Sequence, residues 1–216
     1  GMRLVTLDSP SGLTFRPGQY MCLRPAGTEL PPRPFSIASA PFEPALEFHF
    51  RLNGREGVSD AMASEAREEA VIEMEGPFGQ AVYQPECRLP VLGVAGGLGI
   101  TPILSVFGQA LHDGHPGPFT LIWGLATQQE DYNPERLAGI AADPRVRLIR
   151  HHDDESGIDV VERAVRECRD MRNMRIYIGG SPQMAHTAEQ AFKGAGADRD
   201  AMHADGFDTL GDGPNA

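Results

Sequence analysis

"VAGGLGITPILS", Val94 to Ser105, crowds three glycines between apolar residues. An apolar strand runs into a glycine-packed turn, after which Thr101 and Pro102 fit the N-cap and first turn of a helix. Gly96, Gly97 and Gly99 carry no Cβ, so another molecule can approach the main chain closely. A helix start offers unpaired N–H groups and a positive dipole end to anionic oxygens, which makes a pyrophosphate the natural guest. The spacing is not G-x-G-x-x-G, because Ile100-Thr101-Pro102 follows Gly97-Leu98-Gly99, and no Gly-Lys-Ser/Thr closes it as a P-loop. For a lone glycine cluster, a tight strand-to-helix turn without ligand is the more common explanation, so the surrounding chain has to decide.

Downstream of Leu89 the pattern is apolar strand, loop, amphipathic helix, repeated. "LPVLGVAG" leads to a helix over 102–112, "FTLIWG" to one over 134–142, "VRLIR" to one over 158–171 and "MRIYIGG" to one over 182–193. Such alternation predicts a parallel sheet covered on both faces, with ligands at the carboxyl ends of its strands, where "GGLGITP" lies. Upstream of Cys87, short β-type runs ("RLVTL", "QYMCLRP", "RPFSIAS", "LEFHFRL", "AVIEMEG") are punctuated by Pro17-Gly18, Pro31-Pro32 and Asn53-Gly54, with a short helix over 59–66. The fold class expected is an antiparallel β-barrel over 1–88 followed by an α/β parallel-sheet domain over 89–216.

Composition narrows the function classes. The 216 residues are 41% apolar, enough for one large core or two small ones. A formal net charge of −11 argues against a nucleic-acid partner and against an anionic membrane surface. Cys22, Cys87 and Cys168 are isolated and suggest neither a secreted disulfide framework nor a cluster site, which takes about four cysteines. With no basic-plus-apolar signal region and no apolar run of about 18 residues, a cytoplasmic protein without membrane insertion is expected. His151-His152-Asp153-Asp154 has metal-ligand chemistry, but neighbouring side chains on a loop seldom converge; a solvated polar turn and no metal site are expected.

Four stretches in order resemble the ferredoxin-NADP reductase superfamily: "RPFS" (Arg33, Pro34, Phe35, Ser36), "GPFG" (76–79), "GGLGITP" (Gly96, Gly97, Gly99, Thr101, Pro102) and "GGSPQM" (Gly179, Gly180, Ser181, Pro182, Met184). The resemblance covers nearly the whole chain and implies a flavin-binding barrel followed by an NAD(P)-binding domain. It implies that Arg33 meets a flavin phosphate, Phe35 packs on the isoalloxazine and Ser36 sits near the flavin N5 atom. Each role suits the residue: a donor fork, a flat apolar face and a small hydroxyl. "HFRLNGREGVS" is similar to the family's second flavin element, bringing in His49, Phe50 and Arg51 from the strand and Gly57, Val58 and Ser59 from the turn, one residue short of the family's Gly-x-x-Ser. His49 is equally an ordinary strand residue. The short turn leaves FAD and FMN both open. The glycines of "GGLGITP", Gly99 among them, are expected to admit the dinucleotide pyrophosphate.

Hydride passage from NADH or NADPH to a bound flavin, then electrons onward to a separate acceptor, is the activity the resemblance implies. Ser36, Gly179 and a closing aromatic at Phe207 form the implied catalytic set; Phe207 is equally a terminal hydrophobic anchor. Gly179 stands where many relatives carry Cys. Leu125 and Ala126 stand where relatives preferring NADPH often place Ser and Arg, so NADH is favoured, with Arg136 as the fallback cation for a 2′-phosphate. Acceptors in keeping with the resemblance are an iron-sulfur protein, an oxygenase component, free flavin or a ferric chelate. An electron-transfer subunit of a larger complex and a nucleotide-binding regulatory module without turnover are the alternatives.

Overall fold

Period-two burial builds the first half of the chain. The computed structural model describes residues 1–52, 54, 57–65, 70–132 and 135–205. In chain order come β1 (Met2–Asp8), β2 (Tyr20–Pro25), β3 (Arg33–Ser36), β4 (Ala45–Arg51), helix α1 (Val58–Glu65) and β5 (Ile72–Phe78). β1 pairs antiparallel with β4, while β2 lies between β3 and β5, again antiparallel. Alternate residues of β4 (Leu46, Phe48, Phe50) and of β2 (Met21, Leu23) are fully buried and enclose one core with Ile37, Val58 and Met62. A bridge from Ile37 to Phe48 joins the two sheets. The result is a small barrel-like body, two antiparallel sheets wrapped around one apolar core.

The second half carries β6 (Val91–Gly96), α2 (Ile100–His112), β7 (Phe119–Leu125), α3 (Glu135–Ala141), β8 (Val146–His152), α4 (Asp153–Ser156), α5 (Val160–Glu167), β9 (Arg175–Gly179), α6 (Pro182–Gly194) and β10 (Met202–Asp205). The five strands form one parallel sheet in the order β10-β9-β6-β7-β8. Both faces are covered: Ile103, Leu104, Phe107 and Leu137 pack on one side, Val160, Val161, Ala188 and Phe192 on the other. From β6 the chain runs outward to β7 and β8, then crosses back to β9 on the opposite side. The strand order therefore reverses at the carboxyl end of β6, where open α/β sheets take their ligands. That end is Gly96. No helix of the described residues is long and apolar enough to cross a membrane.

Several local expectations change. Gly97–Gly99 form a single 3₁₀ turn, α2 begins at Ile100, and Gly99 occupies the N-cap position. Thr101 is therefore inside the first helical turn and its hydroxyl donates to the Leu98 carbonyl at 2.8 Å instead of capping. α5 spans fewer residues than the periodicity suggests: its N-cap is Asp159, whose carboxylate accepts from Glu162 N–H. His151 does not sit on a solvated turn. β8 carries it into the interior, where its ring donates to the Ile158 carbonyl at 2.9 Å. The short α4 and the edge strand β10 were not foreseen.

Candidate functional site

Two connected clefts open at the reversal point. The first, about 340 Å³, lies between the halves and is lined from the barrel side by Pro34, Phe35 and Ser36 of β3, His49 and Arg51 of β4 and Ser59 in the first turn of α1. From the sheet side it is lined by Gly96, Leu98, Gly99, Thr101, Gly180 and Ser181. Phe35 lies edge-on to the buried Phe50, with ring centroids 4.5 Å apart and planes at 71°, so Phe50 serves as backing and leaves the Phe35 ring on the cleft wall. The second cleft, about 440 Å³, continues over Gly96, Gly97 and Leu98 to Gly124, Ala126, Glu130, Asp153 and Asp159, with Ser181, Gln183 and Met184 opposite. Arg51, Gly96, Leu98 and Ser181 belong to both.

The glycines divide into two kinds. A Cβ on Gly96 or Gly180 would meet the Met184 sulfur, at 2.6 and 2.5 Å, so these two form a floor on which one flexible thioether rests. A Cβ on Gly99 would collide with the Gly179 carbonyl, and one on Gly179 with the Gly99 oxygen, so this pair lets two backbones meet. Gly97 has φ +54 and its carbonyl accepts the Trp123 indole N–H at 2.8 Å. Opposite, the Ser181 hydroxyl accepts from Met184 N–H at the N-cap of α6 and Pro182, which has no N–H, opens the helix, so the N–H of the first turn left for a ligand is that of Gln183 in the second cleft.

A polar chain crosses between the halves behind the first cleft. The buried ring of His49 touches the Tyr132 hydroxyl through Nδ1 and the Glu47 carboxylate through Nε2, each at 2.8 Å. A carboxylate can only accept, so Nε2 carries a proton, and in the neutral ring Nδ1 accepts from Tyr132. Arg136 of α3 holds both Glu43 and Glu47 of the barrel. Burial pushes the Glu47 carboxyl up, but hydrogen bonds from His49 and Arg136 outweigh it and bring the carboxyl down to about 2. Burial raises the Tyr132 phenol well above its ordinary range, so it stays protonated. At the seam Arg51 pairs with Glu130 at 2.9 Å, and hydrogen bonding from Arg51 lowers the Glu130 carboxyl.

Most of the sequence-predicted residues converge here: Pro34, Phe35, Ser36, His49, Arg51, Ser59, Gly96, Gly97, Gly99, Thr101, Gly180, Ser181 and Met184. Others stand apart. Arg33 is exposed on β3 and does not line either cleft. Val58 is in the barrel core, Gly57 precedes α1, and Pro102 borders a small gap with Tyr177 and Ile178. Phe207 lies outside the described residues. Arg136 is committed to Glu43 and Glu47 and does not line the second cleft, which removes it as the fallback cation. Glu47, Trp123, Glu130, Tyr132 and Asp159 were missed; Trp123 alone left a trace, as the chain's single tryptophan beside a strand-end glycine. Among the described residues no group of three or more His, Cys, Asp or Glu side chains is placed to hold a metal ion.

Residues 94–190 match the family model described as "Oxidoreductase NAD-binding domain". The chain is 30% identical to the Pseudomonas putida ferredoxin--NAD(P)(+) reductase component of a naphthalene 1,2-dioxygenase system, over 94% of this chain but 63% of that protein. It therefore spans somewhat under two thirds of that relative's length. It is also 30% identical to a Vibrio harveyi NAD(P)H-flavin reductase, over 94% of this chain and 91% of that protein. Among solved structures, an Amycolatopsis cytochrome P450 reductase superposes with a TM-score of 0.82 at 23% identity, covering 95% of this chain and 65% of that one. The FAD/NAD-binding domain of a Vibrio cholerae nitric oxide dioxygenase gives 0.75 at 16% identity, covering 95% and 92%. At such identities the superpositions speak for the fold.

Proposed function

Since the chain belongs to the ferredoxin-NADP reductase superfamily, we propose that it is an NAD(P)H-dependent flavoprotein reductase, drawing hydride from NADH onto a bound FAD and delivering electrons to a separate acceptor. The single observation that carries this is the joining of the two clefts over Gly96 and Leu98. One is shaped for a flat ring with a phosphate tail and the other for a second dinucleotide. The domain boundary falls at 88/89, between flavin-binding and nucleotide-binding parts.

The residues fit a flavin. Phe35, backed by Phe50, gives an apolar platform; Ser36 and Thr101 give hydroxyls at its edge; Arg51 and the first turn of α1 at Ser59 give donors for phosphate. FMN fits the same wall, and FAD is the first choice. Gly96, Gly97 and the Gln183 N–H in the first turn of α6 suit the pyrophosphate of the nicotinamide dinucleotide. When bound, flavin and nicotinamide supply the hydride and electron chemistry, and the chain's part is to bind, orient and exclude water. Ser36, almost fully buried, closes the inner wall against solvent. NADH is favoured over NADPH because Glu130, Asp153 and Asp159 border the end of the second cleft beside Ala126. A cytoplasmic location belongs to the same proposal, in keeping with a nicotinamide donor.

For the acceptor, the Pseudomonas relative argues for an iron-sulfur protein or oxygenase component and the Vibrio relative for free flavin, with a ferric chelate as a non-specific substitute. The purified chain, reconstituted with FAD or FMN, should hold one flavin with a shifted visible spectrum, release it on denaturation and bleach with NADH under anaerobic conditions. A chain that neither perturbs flavin absorbance nor quenches its fluorescence overturns the proposal.

A further inference from the structure

We propose that Tyr132 is a positioning residue that fixes the glycine loop of the sheet half against the first cleft, acting through Trp123 on one side and His49 on the other; this rests on the reductase function proposed above. Trp123 lies fully buried in the middle of β7. The Gly97 carbonyl accepts from the Ile100 N–H and, on its other lone pair, from the Trp123 indole N–H. The indole thereby sets where the loop stands. Tyr132 lies edge-on to Trp123, centroids 5.3 Å apart and planes at 82°, and edge-on to His49, at 5.5 Å and 87°. Its hydroxyl completes the link to His49 Nδ1. His49 is in turn held by Glu47, and Glu47 by Arg136.

The chain of contacts thus begins at a glycine on the second cleft and ends on a barrel strand that walls the first. Neither Tyr132 nor Trp123 lines either of the joined clefts, so an effect on the reaction passes through the cleft residues they touch, Gly97 from Trp123 and His49 and Thr101 from Tyr132. Hydride transfer requires donor and acceptor rings at near-attack separation, and misplacement by about 1 Å costs on the order of a hundredfold in rate. A tie between the two halves at this point controls that separation. Elsewhere, the Arg136 pairs hold the halves together without touching the loop.

Tyr132→Phe keeps the ring and removes the hydroxyl. In stopped-flow reduction of the flavin-loaded protein, flavin content and the dissociation constant for NADH should stay within about twofold of wild type, while the limiting rate falls about tenfold or more. A second readout needs no turnover: Trp123 is the only tryptophan, so its emission reports on this place alone. NAD⁺ added to the flavin-free protein should quench that emission saturably in wild type, and with about half the amplitude in Tyr132→Phe. Trp123→Phe should lower the limiting rate to a similar extent, and the double variant should be no slower than the slower single one, because both act on the placement of Gly97. A wild-type limiting rate in Tyr132→Phe, a multiplied loss in the double variant, or a lowered melting temperature with unchanged rate per folded molecule overturns the proposal. Failure of the wild-type protein to bind flavin and NAD⁺ defeats the reductase function itself, and is seen before any substitution is made.

Discussion

A β-carbon built on Gly99 stands 2.1 Å from the carbonyl carbon and oxygen of Gly179, and one built on Gly179 stands 2.0 Å from the Gly99 oxygen. No side-chain rotation relieves either clash, because both partners are backbone. Gly99 is thus glycine because β9 passes directly beneath it, which differs from the sequence expectation that it clears space for a pyrophosphate. The same contact explains why Gly179 has to be small: a side chain there requires the glycine loop to lift. Gly99→Ala should therefore cost about 3 kcal/mol of stability, as overpacking against rigid neighbours does, and flavin and nucleotide binding should fail together with folding. Gly180→Ala should behave otherwise. Its Cβ clashes only with the flexible Met184 thioether, so the expected loss is under about 1 kcal/mol, while the displaced thioether narrows the second cleft and weakens NADH binding about tenfold. Melting temperature and NADH titration on the two variants check both halves of the prediction; equal loss of stability in the two would contradict it.

Between elements, the pairing of Arg136 on α3 with Glu47 on β4 and Glu43 just before it has a pH signature. The Glu47 carboxyl falls from an ordinary 4.5 to about 2 when folded, so the folded chain binds fewer protons than the unfolded chain over that interval. Its contribution is fully present above about pH 4.5 and is lost as pH falls toward 2, amounting to roughly 3 kcal/mol at most. Urea midpoints measured from pH 7 to pH 2.5 should drop steeply below pH 4.5 in wild type and more shallowly in Glu47→Gln, which starts from a lower midpoint at pH 7. Parallel curves would remove Glu47 from the account. This pairing was invisible in the sequence for a physical reason: Arg136 and Glu47 are 89 residues apart, and nothing local to either marks the other. What was legible is local. The apolar alternation of "LEFHFRL" and the strand-helix repeats after Leu89 state their own burial, whereas the start of α2 depended on whether Thr101 would accept or donate, and its hydroxyl found the Leu98 carbonyl.

Across the molecule, the same charge that argued against nucleic acid bears on which nicotinamide dinucleotide is used. The net formal charge is −11, and the second cleft is lined by Glu130, Asp153 and Asp159 together with Ala126, which follows β7 and donates its N–H to Glu130. Among the described residues that line this cleft Arg51 alone is cationic, and it already pairs with Glu130. A 2′-phosphate brings about two further negative charges into that setting without a partner, while a 2′-hydroxyl can donate to a carboxylate. Loss of a charge-assisted hydrogen bond is worth roughly 1.5–3 kcal/mol, so kcat/KM should favour NADH by about ten- to a hundredfold. Two contributions are separable by salt. Long-range repulsion from the acidic surface is screened over about 10 Å at 0.1 M ionic strength, whereas a missing local partner is not. Between about 0.01 and 0.5 M salt the NADH preference should therefore narrow by several-fold and then level off well above unity. Steady-state kcat/KM for both donors across that range decides the point: a preference that reaches unity assigns it wholly to the field, and a preference for NADPH at low salt contradicts the acidic-cleft argument altogether.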